Sequence, residues 1–401
     1  MLLPPWVARG LDTQWAIAVT RGASAIRVCF DATPLLGEMT GVGRFAAGAL
    51  EALTRRDDVN VSAYGLTWRR RAALAGRLPE GARLAGIAMP DRPLRWCWSH
   101  GGLPPAECFL GNTDVLHGTN FTVPPARRSA RIVTVHDLTP IRYPDLCEPG
   151  ARAFAGALRR AAADGTWVHT PSRFVADEVV EELHVDPARV RWVYHGIPAL
   201  GVSHADQSLA TPGLPADLGR YVLAVGTAEP RKDLPTLVRA FDLLAGPHPD
   251  LALVIAGGSG WDGGALERAI ASSPNRNRVV RTGYLGDEEL APVLASATLL
   301  AFPSLYEGFG FPPLQAMAAG VPVVATSAGA LPEVLGDAAL LVPAGDAEAL
   351  GQAMDAVLDD DTLAAKLVES GLVRAAELTW ERCAAGLAGL YAAAAADRAR
   401  R

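Results

Sequence analysis

The chain has 401 residues, half of them apolar, and a formal net charge of −6 from 37 basic and 43 acidic side chains. That length suits two domains of ordinary size, and the acidic balance leaves no domain-wide basic face, which argues against a nucleic-acid binder. Five cysteines (Cys29, Cys97, Cys108, Cys147, Cys383), odd in number and never spaced C-x-x-C, point to reduced structural thiols in a cytoplasmic protein and to no metal site. No apolar run approaches the roughly 18 to 20 residues of a membrane span.

Residues 1–25 carry Trp6, Arg9 and Trp15 without a compact apolar stretch and cleavage site. They read as a loosely ordered extension and not as a secretory signal. From Ile26 the chain alternates short β-rich runs with helical ones. "IRVCFDA" (26–32) is a strand, "GRFAAGALEAL" (43–53) a helix and "NVSAYGL" (60–66) the next strand. "DVLHGTN" (114–120), "RIVTVHDL" (131–138) and "WVHTPS" (167–172) are further strands. Helices fall at 151–163 and at 173–183, the latter capped by Ser172, and "RVRWVYHGI" (189–197) closes the series. Apolar strands separated by helices predict a parallel sheet covered on both faces.

Residues 198–219 have no periodicity, three prolines and three glycines, and mark a linker. The pattern then restarts with strand "YVLAVGT" (221–227), a helix over 234–244 capped by Asp233, and strand "LALVIAGG" (251–258). A helix at 264–271, strand "RVVRTGYL" (278–285) and a helix capped by Asp287 follow. Strands "TLLAFPS" (298–304), "VPVVATS" (321–327) and "AALLVPA" (338–344), with a helix at 313–319, precede the final helices. The fold class is α/β: two doubly wound, Rossmann-like parallel-sheet domains facing across a cleft. The divisions are 1–25, 26–197, 198–219, 220–378, and a terminal helix over 379–401 that crosses back to the first domain.

In open parallel sheets ligands sit beyond the carboxyl ends of the strands, beside helix N-termini. Two loops have that position. In "LYEGFGFPPLQAM", Pro312 and Pro313 suit a first helical turn, where an N–H is not needed. Gln315 follows in that turn, and Glu307 offers a carboxylate to hydroxyls. The amides of Gly308, Phe309 and Gly310 can cradle an oxygen-rich ligand. In "GTAEPRKDLP", Arg231 and Lys232 precede a helix, which suits a diphosphate. One loop fits hydroxyls and the other phosphates, and a nucleotide sugar has both.

These segments resemble the retaining glycosyltransferases of family 4, with the GT-B fold, from about Ile26 to Tyr391. The signature of that family pairs two glutamates with seven residues between them; here "EGFGFPPLQAMAAGVPVV" keeps Glu307 and has Gln315 at the second position. "GTAEPRKDL" resembles its phosphate loop, with Thr227 where many relatives have arginine. "DATPLLGEMTGVGRF" resembles its N-terminal glycine loop, and "VTVHDLTPIRYP" the motif carrying a histidine toward the reacting sugar. The resemblance implies a donor-binding C-terminal domain and an acceptor-binding N-terminal one. Glu307, Arg231, Lys232 and His136 would act on the reaction. Gly41, Gly43, Tyr284, Leu285, Gly308, Phe309, Gly310 and Gln315 would hold the donor, with Gln315 at the ribose.

Neither a metal nor a cofactor is implied, since no D-x-D motif serves. The donor is a nucleotide sugar, with GDP-mannose favoured. A glycan or glycolipid accepts the sugar, no nucleic acid is involved, and the N-terminal domain has a peripheral contact with the inner face of the membrane. The run Trp68 to Arg71 otherwise reads as a solvated helix face. His117 reads equally as site or structure, His195 as structural, and "GGSGWDGG" (257–264) as a turn. Alternative functions are a catalytically silent nucleotide-sugar-binding subunit and a nucleotide-sugar epimerase. A phosphorylase would need a cofactor lysine, and the second half offers just Lys232 and Lys366.

Overall fold

The computed structural model describes residues 24–198 and 211–400, apart from residues 149, 151 and 216. The N-terminal extension and much of the expected linker lie outside the described residues. The first sheet contains β1 (Ile26–Asp31), β2 (Val59–Tyr64), β3 (Val115–Gly118), β4 (Ala130–Thr134), β5 (Trp167–Thr170) and β6 (Val190–Trp192), in the order β2-β1-β3-β4-β5-β6. The second contains β7 (Tyr221–Val225), β8 (Ala252–Ala256), β9 (Val279–Gly283), β10 (Leu299–Phe302), β11 (Val323–Thr326) and β12 (Leu340–Val342), in the order β9-β8-β7-β10-β11-β12. All pairings within both sheets are parallel.

Burial explains the composition of the strands. β8 ("ALVIA"), β10 ("LLAF") and β11 ("VVAT") are buried at every residue, because helices cover both faces of a parallel sheet. The strand order places a switch point between β1 and β3 in the first sheet and between β7 and β10 in the second. Connections leave in opposite directions there and open a crevice beyond the carboxyl ends. The loops after β7 and β10 are therefore neighbours in space, although some 75 residues apart in sequence: Leu305 N donates to Arg231 O at 2.8 Å.

The helices at Arg173–Leu183 and Leu234–Leu244 have the expected bounds, and Ser172 caps the first by accepting from Val175 N at 3.3 Å. Three expectations need correction. Asp233 takes a left-handed conformation (φ 44°) and makes no side-chain cap hydrogen bond. Gly286, not Asp287, occupies the cap position of helix Asp287–Ala295, and its N–H donates to Glu289 instead. The last strand of the first domain spans three residues, not nine, because the chain leaves the sheet at Trp192 to cross toward the second domain. Residues 65–112 hold three helices, Arg71–Ala75, Asp91–Gly101 and Glu107–Leu110.

The terminal helix Trp380–Ala399 packs on the first domain. Leu387, Ala388 and Tyr391 join Phe30, Phe45 and Leu50 in one buried cluster. Tyr391 also enters a chain of buried polar contacts: Tyr391 OH to His117 Nδ1 (2.8 Å), His117 Nε2 to Thr134 Oγ1 (2.8 Å), and Thr134 Oγ1 to His169 Nδ1 (2.9 Å). Those partners assign His117 to structure. No helix among the described residues is long and apolar enough to cross a membrane.

Candidate active site in the interdomain cleft

The second domain supplies a cluster of four charges. Glu307 Oε1 lies 2.7 Å from Lys232 Nζ and its Oε2 lies 2.8 Å from Arg231. Arg231 also reaches Glu229 at 2.6 Å and donates to Tyr306 O at 2.8 Å. Lys232 Nζ sits 4.6 Å above the centre of the Phe302 ring. All of these side chains are largely withdrawn from solvent, so the ion pairs are only weakly screened. Burial alone would push the Glu307 carboxyl up, but Arg231 and Lys232 outweigh it and hold it at about 2. Glu307 is thus an anion throughout the physiological range.

The loop around Glu307 is shaped by two glycines. Gly310 has φ 101°, which a side chain would strain, and it releases the chain into helix Phe311–Ala318 with Pro312 in the first turn. Gly308 faces the other domain so closely that an added Cβ would stand 1.8 Å from His136 O. The contact is fastened by Ser172, whose hydroxyl donates to Gly308 O at 2.8 Å.

His136 stands opposite, two residues beyond β4. Its Nε2 lies 2.8 Å from Thr119 O. A carbonyl oxygen can only accept, so Nε2 donates, and the neutral ring keeps its lone pair on Nδ1. Burial lowers the pKa, against the opposing influence of Thr119 O and Asp137. A neutral His136 is fitted to receive a hydroxyl proton in a hydrogen bond.

A cavity of about 380 Å³ separates these walls and is lined by Gly41, His136, Arg231, Lys232, Tyr284, Leu285, Glu307, Gly308, Phe309 and Gly310, all read as site residues from the sequence. Two others are not among its lining. Gly43 is buried against Met39. Gln315 is 1% exposed, and its Oε1 has no hydrogen-bond partner. The cavity also takes in His195, read from the sequence as structural, Trp261 with Gly257 and Gly258, read as a turn, and Glu229, which sequence reasoning passed over. A larger, more open cavity of about 800 Å³, beside Trp380, contains none of Glu307, Arg231 and Lys232. A group of possible metal ligands among the described residues, His248, Asp355 and Asp359, lines neither cavity.

Further contacts hold the walls together. Glu333, on the second domain, accepts Arg173 N (2.8 Å), Phe174 N (2.7 Å) and the Tyr194 hydroxyl (2.9 Å). With Ser172 it satisfies three of the free amides that begin helix Arg173–Leu183, and its charge suits the positive end of that helix. Tyr306 crosses in the same direction, donating to Glu178 and accepting from Leu138 N at 3.2 Å. At the far rim Tyr284 OH accepts from Met39 N at 3.3 Å, and Arg44 pairs with Asp287. Glu333 and Tyr306 have no motif that announces them; the proximity of Tyr306 to Glu307 is the one available signal.

Two parallel-sheet domains with a cation pair and a glycine loop at the cleft describe a class of sugar-transferring proteins, and the comparisons agree. A model described as Glycosyltransferase Family 4 matches residues 39–199, and one described as Glycosyl transferases group 1 matches residues 213–373. The chain belongs to this family of glycosyltransferases, with the GT-B fold. It is 29% identical over 282 residues to the O-antigen chain mannosyltransferase B of Escherichia coli, covering 67% of this chain and 71% of that one. It is 28% identical over 399 residues to the D-inositol 3-phosphate glycosyltransferase of Acidothermus cellulolyticus, covering 91% and 88%. Among solved structures, sucrose-phosphate synthase from Thermosynechococcus elongatus matches with a TM-score of 0.71 at 22% identity, covering 92% of this chain and 98% of that one.

Proposed function

We propose that the protein moves a hexosyl group, mannosyl by preference, from a nucleoside diphosphate sugar to a hydroxyl of a glycan or glycolipid, with retention and without a divalent metal. The Glu229–Arg231–Glu307–Lys232 cluster carries this reading. It places two cations beside helix Leu234–Leu244, at the switch point where a diphosphate would lie. As the bond from the anomeric carbon to the diphosphate oxygen breaks, its electron pair leaves with that oxygen. Arg231 and Lys232 stabilise the growing charge. The acceptor oxygen forms its bond to the anomeric carbon on the same face, and its proton passes to the departing phosphate oxygen. Glu307 holds the two cations in place and meets hydroxyls of the sugar, while His136 orients one hydroxyl through Nδ1. Gln315, buried behind the loop and outside the cavity lining, supports the loop at the ribose end of the donor with a neutral amide.

GDP-mannose is the favoured donor, by likeness to the mannosyltransferase of Escherichia coli. A role in envelope or polysaccharide assembly at the cytoplasmic face accords with exposed Trp68 and Trp96 beside Arg69 and Arg92 on the first domain. The neutral Gln315 favours a second reading, a binding subunit that has lost turnover. A thermal-shift screen of GDP-, UDP-, ADP- and dTDP-sugars, followed by assay of nucleoside diphosphate release in excess EDTA, tests both. GDP-mannose should stabilise the protein and be turned over without metal. Donor binding with no release that depends on Glu307 would favour the binding subunit.

A further inference from the structure

His195 lies just beyond β6, where the chain crosses toward the second domain; two residues on, Ile197 N already bonds Leu378 O at 2.9 Å. Read from the sequence it is structural, yet it lines the cavity between the two walls. The ring is 1% exposed and packed among aromatic rings, with centroids 4.3 Å from Phe45, 5.0 Å from Phe309, 5.6 Å from Phe311 and 5.5 Å from His136. Neither ring nitrogen has a hydrogen-bond partner. Its neighbours differ. His117 and His169 have both nitrogens engaged, and His136 is tied to Thr119. Leaving a buried polar atom unmet costs about 1–3 kcal/mol. A chain that engages both nitrogens of two histidines in a cluster, ties a third at one, and leaves both of the fourth unmet at a cavity has reserved that fourth for something that enters.

We propose that His195 is a recognition residue for the transferred sugar, one of its ring nitrogens exchanging a hydrogen bond with a hydroxyl that enters the cavity beside His136. The inference rests on the transferase reading and deepens it. A neutral imidazole presents one donor and one acceptor on opposite flanks of the ring, and a hydroxyl complements either, accepting from the N–H or donating to the bare nitrogen. Phosphate oxygens only accept, and the cations serve them elsewhere in the cavity. Burial, then His136 and His169 nearby, hold the ring well below the ordinary histidine range and therefore neutral. Phe309 and Phe311, which line the cavity with it, give His195 the apolar surround usual for a polar group that orients a small molecule. Phe309 and Phe311 flank Gly310, so a sugar held by the glycine loop lies against the same rings that frame His195.

Three variants test this. His195→Phe keeps the ring stack and removes both nitrogens, His195→Leu removes the ring, and His195→Gln restores one donor and one acceptor. Because the nitrogens are unmet in the free protein, His195→Phe should melt at or above the wild-type temperature. With whichever of the GDP-, UDP-, ADP- and dTDP-hexoses the wild type turns over fastest, its kcat/KM should fall about ten- to hundredfold, the cost of one or two hydrogen bonds. His195→Gln should recover part of that loss. Affinity for the free nucleoside diphosphate, which lacks the sugar, should stay within about twofold. A Tm lowered by several degrees in both His195→Phe and His195→Leu makes the residue structural and overturns the proposal. So does transfer by His195→Phe at the wild-type rate, or a loss shared equally by diphosphate binding. A wild type that turns over none of the panel removes the transferase reading, and this role falls with it; an active wild type beside an equally active His195→Phe removes this role alone.

Discussion

The two walls of the cleft follow opposite electrostatic plans. The wall from the second domain is fully charged: Glu307 is held at about 2, and Arg231 is raised above its already high value by Glu307, Glu229 and Asp137 against the opposing effect of burial. The wall from the first domain, besides Glu38, Arg44 and Asp137, is built on neutral histidines. His117, His169 and His195 are buried and His136 partly so, and burial lowers each of them. The difference teaches where each kind of group is useful. Fixed charge belongs where charge develops during a reaction, and neutral donors and acceptors belong where hydroxyls have to be oriented without competing for protons.

Acid should expose this contrast most strongly. The folded pKa of His117, His169 (about 3) and His195 lies below the unfolded value, so the unfolded chain binds more protons below about pH 6.5 and stability is lost as pH falls below that point. Each such group pulls stability down as acid is added, while Asp31, raised to about 6 by burial, opposes them between pH 6 and 4. Glu307 adds its own loss only as pH drops below about 4.5 toward 2. Denaturant midpoints at pH 7.5 and 5.5 should differ widely; equal midpoints would show that the histidines are not buried neutral.

The charged wall should yield next. Lys232→Ala removes a cation from the departing phosphate and should lower turnover by about 10²–10³, or roughly 3–4 kcal/mol, like the loss of one oxyanion donor. Steady-state rates with the best donor measure it, and a variant within about threefold of wild type contradicts the phosphate role. The seam between the walls comes third. Glu333→Ala frees two amides of helix Arg173–Leu183, a loss of about 1–2 kcal/mol by comparison with an ordinary helix cap. It should raise the radius of gyration in small-angle scattering and lower kcat/KM up to about tenfold. An unchanged radius would mean that Tyr306 and Ser172 hold closure without it.

The smallest effect is expected at Gln315. On the proposed reading it supports, from behind the loop, the ribose end of the donor, which does not change in the reaction, so Gln315→Ala should raise KM about fivefold, near 1 kcal/mol, and leave kcat alone. A drop in kcat at constant KM would move Gln315 to the reacting end of the donor.

The charged wall was legible in the sequence and the neutral wall mostly was not, for a physical reason. A glycine loop with proline behind it, or two cations before a helix, is a local pattern whose geometry follows from neighbours in the chain. The helices at 173–183 and 234–244 were legible likewise, through apolar spacing and, for the first, through the Ser172 cap. His195 carries no such signal: in sequence it is a histidine at a strand end, as His117 is, and only the fold shows that one has partners and the other none. Glu333 caps a helix some 160 residues away, a relation that local spacing cannot encode. The short helices in 65–112 lie in a stretch rich in arginine, proline and glycine, where no period develops.

The terminal helix has a consequence for how the molecule is made. Tyr391 supplies a partner to His117 in the middle of the first sheet, yet it leaves the ribosome about 200 residues after β6. At roughly 5–20 residues per second that interval is roughly 10–40 s. For that time the earlier-born domain waits with an open groove along Phe45 and Leu50, while the later-born one can complete its core unaided. The half of the protein that is begun first is finished last, and a hybrid that exchanges the two halves has to carry residues 380–399 with the front.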